Sequence, residues 1–190
     1  MISSFPLHRY TFADYVQVED ESPTKHEFLD GEIVAMAAGT PEHAALAVAV
    51  SHRFSTLLQG SRCRVFSSDL RVRVRETGLT TYPDVSVICG PAERDPESNT
   101  TVTNPSVVVE VTSDSSEHYD RGPKREHYQT IASLQAIVIV SHRERKIDVW
   151  SRRDGAWSVQ SAGAGDRIEV PVVGGALDVD AIYAAAEEPQ

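Results

Sequence analysis

Ser106-Val107-Val108-Val109-Glu110-Val111-Thr112 is a valine run with almost no polar alternation, broken by one acid. A half-buried strand alternates apolar with polar residues, so a run without alternation predicts a strand covered on both faces. Ala136 to Val140 is a second apolar run of the same kind, and Asp120 to Ala132 between them predicts a helix with Pro123 in its first turn. Upstream, Arg62 to Phe66, Leu70 to Arg75 and Asp84 to Cys89 read as strands, with Gly90 to Asn104 as a polar loop. Thr40-Pro41-Glu42-His43 opens a helix, with Thr40 as N-cap and Pro41 at its first position. Its stripe Leu46, Val50, Phe54 and Leu57 ends before Gly60. His26 to Met36 predicts a hairpin around Asp30-Gly31. Thr11 to Val18 predicts a short helix, and Lys146 to Trp150, Trp157 to Ser161 and Arg167 to Val170 a meander. Asp178 to Ala186 is a weak terminal helix. The order gives an α/β fold, with a central mixed β-sheet flanked by helices.

The chain has 190 residues, 18 basic against 28 acidic, a formal net charge of −10, and 41% hydrophobic content. At roughly 150 residues per domain this predicts a single domain over residues 1–190, with its core at 11–182. Such composition excludes collagen, disulfide-scaffold and wholly disordered classes. The longest aliphatic run, Ala44 to Val50, is far short of a membrane span, and Met1 to Pro6 lacks the features of an export signal. These features predict a cytoplasmic protein in which Cys63 and Cys89 are reduced core thiols. The acidic balance argues against binding nucleic acid by bulk charge. It leaves room for a locally charged site, with Glu19-Asp20-Glu21 and Glu187-Glu188 facing away.

Two acids stand where folding alone would not place them. Asp84 leads into Val85-Ser86-Val87, and Glu110 interrupts the valine run. A carboxylate inside a covered strand must be paired or hold a metal. Two from neighbouring strands make an oxygen-rich site suited to Mg²⁺ or Mn²⁺, and hence to phosphodiester hydrolysis. The alternative is that Glu110 pairs with an arginine and Asp84 caps a turn. Arg71, Arg73 and Arg75 alternate with Val72 and Val74. They form either a phosphate-tracking face or, by slight preference, a solvated face balanced by acids. No GxSxG, GxxxxGK, GxGxxG or CxxC motif is present.

Pro83-Asp84, then Glu110, resembles the PD-(D/E)xK arrangement of restriction-endonuclease-like nucleases. The ordered series His26-Glu27-Phe28-Leu29-Asp30-Gly31, His43, Asp69-Leu70-Arg71-Val72, Pro83-Asp84-Val85, Val109-Glu110-Val111-Thr112-Ser113, Asp120-Arg121-Gly122-Pro123-Lys124 and Tyr128 is similar to a large bacterial family of putative restriction endonucleases. That family was long filed as a domain of unknown function. The resemblance implies a Mg²⁺-dependent endonuclease acting on DNA, with Asp84 and Glu110 as metal ligands and the Val111 carbonyl as a further one. Thr112 occupies the motif lysine's position, and the resemblance moves that role to Lys124 on the following helix. Glu27 is implied as an auxiliary acid or is a surface carboxylate. His43 is a neutral imidazole serving water or phosphate, or a packed histidine. Asp69 and Asp120 are supporting candidates or turn residues. A homodimer is expected by analogy with nucleases that cut both strands. The rival functions are a catalytically inactive module binding protein or nucleic acid, and a small phosphate-ester hydrolase.

Overall fold

A computed structural model describes residues 9–187. Its first half runs α1 (Phe12–Glu21), β1 (His26–Leu29), β2 (Glu32–Ala35), α2 (Pro41–Leu57), β3 (Cys63–Ser67), β4 (Arg71–Arg73), β5 (Thr80–Thr81), β6 (Val85–Cys89), β7 (Arg94–Asp95) and β8 (Ser98–Val102). The second half runs β9 (Val107–Val111), α3 (Glu117–Tyr119), a π turn (Asp120–Lys124), α4 (Arg125–Gln129), β10 (Ala136–Val140), β11 (Lys146–Arg153), β12 (Ala156–Gly163), β13 (Arg167–Val170), β14 (Gly175–Asp178) and α5 (Val179–Ala184).

The main sheet has the order β12-β11-β10-β9-β6-β3. It is mixed: β9 lies parallel to β10 and antiparallel to β6. Burial of β9 and β10 on both faces explains why their sequences lack alternation. Val107, Val109 and Val111 face the cluster that α2 covers through Leu46, Val50 and Phe54. Val108 faces the opposite cluster with Tyr128, Ile137 and Ile139. Glu110 continues that second face by the strand's period of two.

A second sheet, order β2-β1-β5-β4-β8-β7, carries α1, whose Phe12 and Tyr15 pack on Phe28. The β1–β2 turn places Asp30 and Gly31 at φ 52° and 81°, the left-handed pair that an Asp-Gly hairpin turn requires. β13 and β14 form a separate two-stranded ribbon.

Helix starts follow local chemistry. Thr11 and Asp14 cap α1 reciprocally, and the Thr40 hydroxyl accepts from the His43 amide at 3.2 Å at the head of α2. Thr40→Ala should lower the unfolding free energy by about 1 kcal/mol, read as a reduced denaturant midpoint with an unchanged m-value.

Five expectations are corrected. Residues 90–104 contain the β7–β8 hairpin rather than an open loop. β8 (Ser-Asn-Thr-Thr-Val) is polar because its hydroxyls serve Arg71, whose side chain is 2% exposed and bonds Thr101 at 2.7 Å, Ser98 at 3.1 Å and Asp20 at 3.1 Å. Arg71 is therefore neither a phosphate track nor part of a solvated face. Arg73 is turned to Asp95 and Glu97 over the Phe12 ring. The predicted helix 120–132 is broken: Gly122, at φ −108° and ψ −107°, kinks the chain inside the π turn that joins α3 to α4, and Pro123 lies in the same turn. Cys63 and Cys89 stand directly opposite each other in the β3–β6 register and are joined as a disulfide, not held as reduced thiols. Glu19 does not face solvent: it accepts from Tyr82 at 2.8 Å and contacts the His26 ring at 2.8 Å. Glu188 lies outside the described residues.

Candidate active site

The β6–β9 register pairs Val85 with Val109, so Asp84 and Glu110 fall one step further, side by side where β6 begins and β9 ends. Antiparallel neighbours at one register point to the same face. Asp84 is fixed through Oδ2, which accepts from the Val111 amide at 2.7 Å and lies 3.3 Å from His43 Nε2. α2 thus delivers His43 from its first turn to the end of the sheet. Gly39 makes room for the ring, since a Cβ there would come within 2.8 Å of His43 Nδ1.

Glu110 is 5% exposed. Its Oε1 accepts from the Tyr128 hydroxyl at 2.6 Å and meets Lys124 Nζ at 3.1 Å. Lys124, itself 4% exposed, also reaches Glu27 at 2.8 Å and Asp120 at 3.7 Å. Glu27 in turn accepts from the Thr81 hydroxyl, and the Tyr119 ring lies 5.9 Å from the ammonium. Asp120 and Lys124, four residues apart across the break at Gly122, both turn inward and are buried.

The electrostatics follow from burial. Burial pushes the Glu110 carboxyl up to about 8; Lys124 opposes the rise, while Asp120 and Asp84 add to it. Burial raises Asp120 as well, against the pull of Lys124. Burial disfavours the charge on Lys124, but Glu110, Tyr128, Glu27 and Asp120 outweigh it and hold the ammonium protonated. The hydrogen bond to Asp84 raises His43. That carboxylate overrides both burial and the helix dipole, which would keep the ring neutral.

The structure brings Asp84, Glu110, Lys124, Glu27, His43 and Asp120 into one connected cluster. Asp69 lies elsewhere, paired with Lys25 at 2.7 Å. Neither Asp84 nor Glu110 pairs with an arginine among the described residues. Thr112, in the motif-lysine position, is buried with its hydroxyl 2.8 Å from His142 Nδ1, and His142 Nε2 lies 3.1 Å from Asp114. Sequence reasoning missed Thr81, Tyr119, Gly39 and His142 as members of this region. The only hint for His142 was its place just after β10, the strand parallel to β9.

Among the described residues no group of three or more His, Cys, Asp or Glu stands arranged as a metal shell, and Lys124 lies among the acids. The donor chemistry nevertheless fits a hard cation. Asp84 Oδ1 and Glu110 Oε2 carry no hydrogen bond among the described residues, the bonds being made by Asp84 Oδ2 and Glu110 Oε1. Two such carboxylate oxygens offer part of the oxygen shell that Mg²⁺ accepts, since it keeps several of its waters.

A mixed sheet carrying paired acids at a strand end, with a lysine from the next helix, has a nuclease-like architecture. The chain belongs to the Uma2 family of putative restriction endonucleases, whose pattern matches residues 12–180. It is 38% identical over 181 residues to the uncharacterized protein slr1290 of Synechocystis sp., covering 95% of this chain and 94% of that one. It is 33% identical over 130 residues to the uncharacterized protein sll1609 of the same organism, covering 68% and 73% respectively. Its fold matches the crystal structure of a putative nuclease belonging to DUF820 from Anabaena variabilis, with a TM-score of 0.76 over 92% of this chain and 97% of that one, at 15% identity.

Proposed function

We propose that the chain is a Mg²⁺- or Mn²⁺-dependent endonuclease that hydrolyses phosphodiester bonds in DNA. The observation that carries this reading is Lys124 Nζ, 3.1 Å from Glu110 and 2.8 Å from Glu27. A lysine from the following helix thus stands beside the strand-end acid that the motif pairs with a lysine two residues on. Asp84, Glu110 and the Val111 carbonyl would hold the ion, which when bound supplies charge to the phosphoryl oxygens and acidity to a coordinated water.

The protein's own groups do the rest. His43 and the Val111 amide fix Asp84 through one oxygen and leave the other free. Tyr128 and Lys124 do the same for Glu110. Glu27, oriented by Thr81, steers the Lys124 ammonium, which stays protonated and offers a fixed positive charge where negative charge gathers on the phosphate.

Supercoiled plasmid incubated with Mg²⁺ or Mn²⁺ tests the reading. The protein should nick it, EDTA should stop the reaction, and Asp84→Ala should slow nicking at least about a hundredfold. Metal binding without nicking would assign the chain to the inactive-module class. Hydrolysis of a small phosphate ester without nicking would assign it to the small-substrate class.

A further inference from the structure

The candidate site opens toward Asp84, His43 and Glu27, which are half-buried, while Glu110 and Lys124 are buried. A strip of chain without charge skirts that opening. Ile33 to Pro41 holds nine residues with no acid or base among them, on a chain that is 24% charged, and seven of the nine are exposed. Both ends of the strip are fixed at the site. In the β1–β2 register Val34 is the partner of Glu27, and directly opposed residues of an antiparallel pair share a face, with Cβ atoms about 5 Å apart. Glu27 faces Lys124 at 2.8 Å, so Val34 faces the opening, and it is 59% exposed. At the other end Thr40 caps α2, whose His43 lies 3.3 Å from Asp84, and Gly39 stands against the His43 ring. The half-buried Tyr119 ring borders the same ion pair, 5.9 Å from Lys124 Nζ. Glu32 and Glu42, both exposed, bound the strip in sequence.

We infer that the site takes an unpaired DNA strand, with the scissile phosphate at Asp84, Glu110 and Lys124 and the adjoining base laid on Tyr119 and Val34. The inference rests on the nuclease reading and names its substrate class. Burial favours a single strand, because the phosphate must enter a cleft to meet Glu110 and Lys124. A free strand does this at no cost in base pairs, whereas a duplex must first unpair. Charge favours it too. A duplex brings two phosphate backbones, and one laid across the strip finds no cation there and an acid at either end. A base carries no charge, and an aromatic ring with an apolar neighbour is the kind of surface on which bases stack. Ala35, Ala37, Ala38 and Gly39 are small and leave room for it. On a chain of net charge −10, affinity then comes from stacking and the buried ammonium rather than from a basic track.

Fluorescence anisotropy of the full chain, with Ca²⁺ in place of Mg²⁺, reads binding without relying on cleavage. A short labelled DNA strand should bind at least about tenfold more tightly than the same strand annealed to its complement. It should also bind more tightly than a strand of equal length built of abasic residues. Tyr119→Ala should weaken single-strand binding at least about fivefold and erase the advantage over the abasic strand. Tyr119→Phe should restore both, since the ring makes the contact. Val34→Asp, at an exposed position where folding tolerates the change, should weaken single-strand binding as well, because a charge replaces the apolar contact. Equal affinity for strand and duplex, or none for either, overturns the inference. So does single-strand binding that is indifferent to both Tyr119→Ala and Val34→Asp. The same substrates with Mg²⁺ or Mn²⁺ separate the two readings. Cleavage of strand and duplex alike keeps the nuclease reading and removes this inference. The binding preferences without any cleavage remove the nuclease reading and leave the single-strand site standing.

Discussion

Lys124→Met should lower the free energy of unfolding in EDTA by about 3–5 kcal/mol, a large share of a small domain's stability. The ammonium is buried and touches three carboxylates: Glu27 at 2.8 Å, Glu110 at 3.1 Å and Asp120 at 3.7 Å. Removing it leaves those acids facing one another in a water-poor site, where the usual escape is to take up protons. The deficit should therefore shrink as pH falls and the acids protonate. Chemical denaturation at pH 5 and pH 8 reads this directly: the gap between wild type and variant should be larger at pH 8. On the metal-site reading, millimolar Mn²⁺ should restore part of the lost stability at pH 8, because a cation replaces the missing charge. Plasmid nicking should not return with it, since the lysine's position at the phosphate is lost. A variant as stable as wild type in EDTA would show that Lys124 is not the counter-charge of this cluster.

Much of this site was legible in the sequence because its members interrupt patterns that folding sets. Glu110 stands out because nothing else in Val107 to Val111 is polar, and Asp84 because it heads a buried strand. The β1–β2 turn and both N-caps are equally local, fixed by residues within three positions of one another. What stayed hidden depends on contacts far apart in the chain. Arg71 looked like one of three outward guanidiniums, since alternation reports faces and cannot say that a second sheet covers one of them. The polar strand β8 read as loop for the same reason: its hydroxyls find their partner thirty residues upstream in Arg71. The disulfide depends on the register of β3 against β6, and the inward turn of Lys124 comes across a break at Gly122 that composition leaves open. His43 was expected to be neutral from its place at a helix start. A carboxylate from another strand raises its pKa instead, which no helix-level argument contains.

Glu110→Gln should produce opposite changes in stability and activity, and this separates a functional acid from a structural one. The Glu110 carboxyl is pushed up to about 8 from an ordinary 4.5. Between those values the folded chain holds a proton that the unfolded chain releases. Stability therefore falls as pH rises through this window, and the slope ends above pH 8. Glutamine keeps the shape and the acceptor for the Tyr128 hydroxyl, but it does not titrate. The variant's stability should thus be flat with respect to this group from pH 5 to pH 8. By pH 8 it should exceed wild type by roughly 2 kcal/mol, the full shift being discounted because Lys124 loses one of its three partners. Nicking should meanwhile fall about a hundred- to a thousandfold, since an amide oxygen is a far weaker ligand for a hard cation than a carboxylate. A purely structural acid would show the reverse, with stability lost and whatever activity the chain has left intact. If wild type and variant show parallel stability profiles from pH 5 to pH 8, Glu110 is not the strained, proton-holding group that its burial makes it.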